Sequence, residues 1–148
     1  ISIVTTESSP VPINSFRNLE TQVIWGTETA FESENPLWRH LYASLHYTWL
    51  KTDLPYRPPH ARKTSLYWKE RGITFFADHR YRSSLATSHP LRPNLPRMHL
   101  IDAGMTWDVT RQASLTAKIE NIFDLPYERI AYFPMPGRTL SVGLAGSF

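Results

Sequence analysis

An all-β fold of antiparallel, up-and-down strands is predicted by three observations on this 148-residue chain. Apolar and polar residues alternate with period two in run after run, the signature of strands with two unlike faces. The connections between those runs alternate long and short. Proline, which is excluded from central strands, gathers between the runs. The clusters are Pro10 and Pro12, then Pro55, Pro58 and Pro59, then Pro90, Pro93 and Pro96, then Pro126, Pro134 and Pro136, with only Pro36 apart.

Taken in order, residues 1–6 read as a short strand that starts in mid-strand, so the chain is expected to be the C-terminal part of something longer. Residues 18–32 read as a long strand, with Leu19, Thr21, Val23, Trp25, Thr27, Thr29 and Phe31 opposed to Glu20, Gln22, Gly26, Glu28 and Glu32. The tetrapeptide SENP (33–36) signals a tight turn. Leu41, Ala43, Leu45, Tyr47 and Trp49 then alternate with Tyr42, Ser44, His46 and Thr48, before the proline-rich loop LPYRPPH (54–60). Two runs flank the charged turn KERG (69–72). One carries Thr64, Leu66 and Trp68, the other Ile73, Phe75, Ala77 and Tyr81 against Thr74, Asp78, Arg80 and Arg82. A second long loop is SSLATSHPLRPNLP (83–96). Ile101, Ala103, Met105 and Trp107 face away from Asp102, Gly104, Thr106 and Asp108. After a short turn near 109–112, Leu115, Ala117 and Ile119 oppose Thr116, Lys118 and Glu120. A loop over about 124–136 leads to the last strand, where Leu140, Val142 and Leu144 oppose Thr139, Ser141, Gly143, Ala145 and Ser147 before Phe148. This gives about eight strands and hardly any helix.

Composition narrows the setting. The chain has no cysteine, so a disulfide framework and cysteine-based metal or nucleophile chemistry are excluded. The net charge of +3 is scattered, and no basic run reads as a nucleic-acid patch, so no nucleic-acid partner is expected. No apolar stretch is long enough for a membrane-spanning helix, but spanning strands need only about 9–11 alternating residues. The opening ISIVTTESS has no initiator Met, basic region or cleavage pattern and is not a signal peptide. A soluble sandwich would explain the alternation equally well, but less well the strand lengths, the loop asymmetry and the terminal Phe148. Aromatics fall where interfacial girdles would lie. Trp38 and Trp49 are expected near opposite ends of one strand, Phe31, Trp107 and Phe148 near the short-turn end, Tyr81 and Phe123 near the long-loop end. The expectation is an antiparallel up-and-down transmembrane β-barrel whose long loops lie outside.

The tail carries a more specific signal. Lys118 to Glu128, K-I-E-N-I-F-D-L-P-Y-E, followed by P-G-R-T-L-S-V-G-L from Pro136 to Leu144 and a terminal Phe148, resembles the end of TonB-dependent outer-membrane receptors. Trp25-Gly26-Thr27-Glu28 resembles that family's Gly-x-Glu strand, Arg57-Pro58-Pro59-His60 its Pro-x-His strand opening, and Tyr81-Arg82 a Tyr-basic strand end. Siderophore and cobalamin receptors are closest in style. Ile122 stands where Leu is usual, and Gly146 where the barrel-assembly signal usually has a hydrophobic residue. The family's barrels have about 22 strands and a plugged lumen. The resemblance therefore implies that residues 1–148 are the C-terminal part of such a barrel, with plug, TonB box and earlier strands outside the chain. It implies active transport of a scarce ligand such as a ferric siderophore, haem or cobalamin, with this segment forming wall and outer loops and performing no enzymatic chemistry. It implies as partners TonB through the missing N-terminal region, outer-membrane lipid, the barrel assembly machinery through the last strand, and a small-molecule ligand, in the outer membrane of a Gram-negative bacterium. No cofactor is expected. The rival is a self-contained eight-stranded outer-membrane barrel, an adhesin or enzyme.

Asn121, Phe123, Asp124, Tyr127, Gly137, Arg138 and Phe148 form the tail signature. Asn and Asp favour turns by bonding their own backbone, Pro126 stops the strand, Phe123 and Tyr127 anchor a rim, and Gly137 permits unusual backbone angles. Glu20, Glu28, Glu32, Asp78, Arg80, Arg82, Asp102, Lys118 and Glu120 share the inward parity and read as a solvated, mutually paired lining. The six histidines are isolated, with no metal-ligand spacing. Topology nominates Tyr56, Arg57, His89, Arg92, Arg129 and Tyr132 in the outer loops as ligand contacts, since aromatics supply stacking area and Arg pairs with carboxylate or phosphate.

Overall fold

The computed structural model describes residues 2–6, 13–17, 23–33 and 35–146. Thirteen strands and no helix occur among them: β1 (Ser2–Thr6), β2 (Ile13–Arg17), β3 (Trp25–Glu32), β4 (Leu41–Lys51), β5 (His60–Glu70), β6 (Ile73–Arg82), β7 (Leu85–Ala86), β8 (Asn94–Leu95), β9 (Met98–Asp108), β10 (Ala113–Glu120), β11 (Glu128–Ile130), β12 (Phe133–Pro134) and β13 (Thr139–Gly146). Seven of them build one antiparallel sheet in the order β13-β10-β9-β6-β5-β4-β3, and the others pair as three small ribbons. The sheet is open, with β3 and β13 at its edges.

The register turns the sequence alternation into two faces. Cross-strand pairs such as Leu41–Trp68, Trp68–Phe75, Phe75–Met105, Met105–Ala117 and Ala117–Val142 run as one row across six strands. Pairs such as Ser44–Ser65, Ser65–Asp78 and Asp78–Asp102 run across the other face. A one-residue slip would exchange the faces, so the strict alternation fixes the pairing. The apolar face is bare: Val142 is 68% exposed, Leu144 79% and Phe75 50%. An apolar surface of this extent marks contact with lipid or with another protein. The buried apolar cluster among the described residues lies instead under the loops, where Leu85, Leu95 and Ala131 meet with Tyr56 against them.

The connections divide by rim. One rim carries segments 35–40, 71–72 and 109–112, the other 52–59, 83–97 and 121–138. The turn 71–72 is tight because Arg71 and Gly72 both take positive φ, 49° and 78°, the two-residue hairpin geometry that matches strand twist. Phe31 and Trp107 end strands at the short-turn rim, while Tyr81 and Phe123 lie towards the long-loop rim.

Four expectations change. Residues 13–17, read as loop, form β2 and pair with β1 apart from the main sheet. The strand expected over 18–32 is observed from Trp25, with 18–22 outside the described residues. The turn expected at 33–36 continues through the described residues 35–40. Trp38 bridges to Leu41 across Arg39 at φ 48°, and Ser33 Oγ accepts from Ala43 N at 2.9 Å, so Trp38 precedes β4 instead of lying in it. The two longest loops carry short ladders, β7–β8 and β11–β12, because their prolines interrupt pairing without abolishing it.

Candidate functional site at the long-loop rim

Three loops converge at this rim. The Tyr56 amide donates to Ala86 O at 2.8 Å, tying segment 52–59 to β7, and Tyr56 packs on the Leu85–Leu95–Ala131 cluster. Segment 87–93 is closed by Thr87 N to Pro93 O at 2.7 Å and by the Thr87 hydroxyl to Arg92 O at 2.6 Å. His89 is fixed inside it: its amide donates to Thr87 Oγ1 at 3.0 Å, and its Nδ1 accepts from Leu91 N at 3.2 Å.

This closure aims Arg92 at the 121–138 loop. Arg92 Nη1 lies 2.8 Å from Glu128 Oε1, and Glu128 Oε2 accepts the Tyr132 amide at 3.1 Å. The Arg92 guanidinium stands 5.6 Å from the Tyr132 ring centroid, and the His89 ring meets the same Tyr132 edge-on at 4.8 Å. Tyr132 holds φ 66° and is 53% exposed, so its ring is presented to solvent over a fixed backbone. Four of the six nominated loop residues, Tyr56, His89, Arg92 and Tyr132, therefore belong to one assembly. Arg57 stands apart, lining a shallow cleft with Asp53, Leu54 and Asn94, and Arg129 is exposed on β11. Glu128 was not nominated, yet it organises the group. The signal for it in the sequence was an isolated carboxylate beside Arg129 in a loop otherwise short of acids. A half-exposed pair such as Arg92–Glu128 is worth about 1 kcal/mol, and it occupies one arm of the guanidinium. The remaining guanidinium donors can pair with an anionic group, and the exposed part of the Tyr132 ring offers stacking area.

The tail signature forms a second, adjoining unit. Asn121 is buried at φ 51°. Its Nδ2 donates to Leu125 O at 2.9 Å and its Oδ1 accepts from Leu125 N at 3.0 Å, a reciprocal clasp around the corner. Asp124, at φ 53°, accepts the Arg138 amide at 2.6 Å, which joins the start of the loop to the start of β13. The reason for Gly137 differs from that expected: it needs no positive φ, but a Cβ there would collide with the Asp124 carboxylate oxygen. Phe123 is exposed, Tyr127 is half-buried with its carbonyl accepting Met135 N at 3.0 Å, and Phe148 lies outside the described residues.

The polar face links to this corner. Arg80 pairs with Asp102 at 2.7 Å, and Asp102 Oδ1 accepts the Asn121 amide at 2.8 Å. Lys118 pairs with Glu120 at 2.7 Å, and Glu32 meets His46 at 3.4 Å. Asp78 lies opposite Asp102 in register, and one Asp78 oxygen, the Ser65 hydroxyl and the Nε atoms of Arg80 and Arg82 are buried without a partner. The lining is thus partly paired. Glu20 lies outside the described residues.

No protein-family model and no curated protein sequence matches the chain. Solved structures do. The ferric enterobactin receptor PfeA of Pseudomonas aeruginosa matches with TM-score 0.77 and 17% identity over 100% of this chain and 26% of that one. The copper transporter OprC matches with TM-score 0.76 and 21% identity over 99% of this chain and 27% of that one. The ferric-catecholate import receptor Fiu of Escherichia coli K12, in its open form, matches with TM-score 0.68 and 22% identity over 83% of this chain and 20% of that one. The chain spans about a quarter of the length of the first of these structures. Its fold is that of one stretch of a TonB-dependent receptor barrel, with loops gathered at one rim.

Proposed function

We propose that residues 1–148 are the C-terminal wall segment of a TonB-dependent receptor in the outer membrane of a Gram-negative bacterium, and that the whole protein imports a ferric siderophore. The carrying observation is the open sheet with one predominantly apolar face and its long loops joined into an assembly at one rim. The likeness to two ferric-siderophore receptors supports iron chelates over haem or cobalamin, and the Arg92–Tyr132 pair supports an anionic, aromatic chelate. In this reading Tyr132 stacks on the ligand, His89 holds that ring in place, and Arg92 answers its charge. The segment supplies no covalent chemistry. TonB acts through the N-terminal region, lipid contacts the apolar face, the assembly machinery engages β13, and the tail signature closes the last hairpin for that assembly.

The test is accumulation of radiolabelled ferric enterobactin by cells carrying the full-length protein, with and without TonB, and with copper(II) as a parallel probe. Accumulation that requires TonB and an intact proton gradient is expected. Unchanged accumulation without TonB would overturn the transport reading, and TonB-dependent uptake of copper alone would overturn the siderophore assignment.

A further inference from the structure

Near the long-loop rim a row of polar and charged side chains interrupts the apolar face. Register places Tyr47, Arg62, Tyr81 and His99 directly opposite one another across β4, β5, β6 and β9. His60 and His79 flank that row on the same parity. The group is knit together: Tyr47 hydroxyl to His60 Nδ1 at 2.8 Å, Arg62 Nη2 to His79 Nδ1 at 3.5 Å, and His79 Nε2 to His99 Nδ1 at 3.4 Å. The Tyr81 and His99 rings are 4.8 Å apart, and the Arg62 guanidinium lies 5.9 Å from the Tyr81 ring.

Its depth is informative. Trp107 and His99 share β9 and one parity at opposite ends of the strand. The strand between them is about 27 Å long at about 3.4 Å per residue. Tilted by about 40°, it spans roughly 20 Å of membrane normal, close to the apolar band of about 25 Å that an outer-membrane barrel presents. With Trp107 at the short-turn boundary, the polar row falls at the long-loop boundary, where lipid headgroups begin.

Its charge is uncompensated. On the polar face Arg80 has Asp102 and Lys118 has Glu120. Arg62 makes no ion pair among the described residues, and the one carboxylate on its parity of the seven strands, Glu70, sits at the opposite rim. A guanidinium at the edge of hydrocarbon is stable when it meets an anion, and phosphate accepts its donors in a bidentate fork. We infer that Arg62, His79, Tyr81 and His99 form a docking site for the phosphate-bearing headgroup of an outer-leaflet glycolipid. The inference rests on the outer-membrane placement but not on the transported ligand.

The test is native mass spectrometry of the full-length protein in detergent with diphosphoryl lipid A, its dephosphorylated form, and inorganic phosphate as competitor. Preferential retention of the diphosphoryl lipid is expected, falling by about tenfold in Arg62→Gln, the loss of one charge-assisted contact. Arg62→Lys should recover part of it, and Arg111→Gln at the short-turn rim should leave it unchanged. His99→Gln, exposed and outside the arginine's own strand, should weaken retention and serves if Arg62→Gln does not assemble. Equal retention of both lipids, or insensitivity to both substitutions, would overturn the site. Displacement by phosphate at concentrations equal to the lipid would assign it to the free anion and overturn the lipid reading. Extraction of the protein without detergent would instead show that the outer-membrane placement had failed.

Discussion

The corner at Asn121 gives the sharpest quantitative test. Its side chain makes two hydrogen bonds to Leu125 while its backbone sits at φ 51°. Asn121→Gly removes both bonds but suits the left-handed backbone. Asn121→Ala removes them and must also carry a Cβ through that conformation. Two hydrogen bonds at about 1 kcal/mol each make the glycine variant about 2 kcal/mol weaker at the corner. The left-handed backbone adds about 1 kcal/mol for alanine. At tenfold per about 1.4 kcal/mol, exchange of the Leu125 amide should accelerate roughly 30-fold in Asn121→Gly and roughly 150-fold in Asn121→Ala. Hydrogen exchange read on peptides covering 121–127 in the full-length protein in detergent measures both. Wild-type rates in both variants would refute the clasp, and equal acceleration in the two would refute the backbone strain while leaving the hydrogen bonds.

Gly104 lies opposite Phe76, and a Cβ there would collide with the Ala117 carbonyl oxygen as well as with the Phe76 ring, so Gly104→Ala should cost about 1–3 kcal/mol and be relieved only in part by Phe76→Ala, read as partial recovery of the heat-modifiable folded band on gels; full recovery would show that the ring alone excludes the Cβ. Val142→Arg on the apolar face should cost about 2–4 kcal/mol of assembly stability, whereas Ser141→Glu, facing Lys118 on the polar parity, should be neutral, with urea titration of refolded protein in vesicles as the readout. Glu128→Gln frees the second arm of Arg92, so ferric enterobactin should bind a few-fold tighter, while Arg92→Ala should weaken it about tenfold; calorimetric titration checks both. The intact mass of the mature polypeptide bearing this tail should be roughly four times 17.1 kDa, since the chain covers 26% of the first receptor it resembles; a mass near 17.1 kDa would favour the small closed barrel.

The parity of the strands was legible because burial on one face imposes period two locally: Leu140, Val142 and Leu144 announce their face without reference to any partner. Chain breaks were legible for the same reason, since Pro58 and Pro126 act on their own neighbours. The site was legible only as residue types. That His89, Arg92 and Tyr132 meet depends on pairing between loops some 40 residues apart, and nothing local encodes it. Glu128 was missed because its partner is Arg92, far off in sequence, while its near neighbour Arg129 points the eye elsewhere. Arg62 was missed because, between Ala61 and Lys63, it reads as an ordinary charged strand opening until the register sets Tyr81, and His99 beyond it, in one row with it. Gly137 was assigned to its position for a backbone reason, and its cause proved to be space beside Asp124, a contact that only the folded hairpin creates.

The sheet itself argues that more strands are needed. Every pairing in it is antiparallel, so strand direction alternates, and with seven strands the two edges, β3 and β13, run the same way. Joining those edges would force a parallel pair. An all-antiparallel closure therefore requires an odd number of further strands between β3 and β13. Within hydrocarbon this is obligatory, because each unpaired backbone group costs several kcal/mol and an edge strand exposes a row of them. The two faces differ in what they present: the apolar face carries exposed Val142 and Leu144, while the polar face carries the Arg80–Asp102 and Lys118–Glu120 pairs. In the reading we propose, a large plugged barrel supplies the further strands, whereas an eight-stranded barrel would add one strand to these seven.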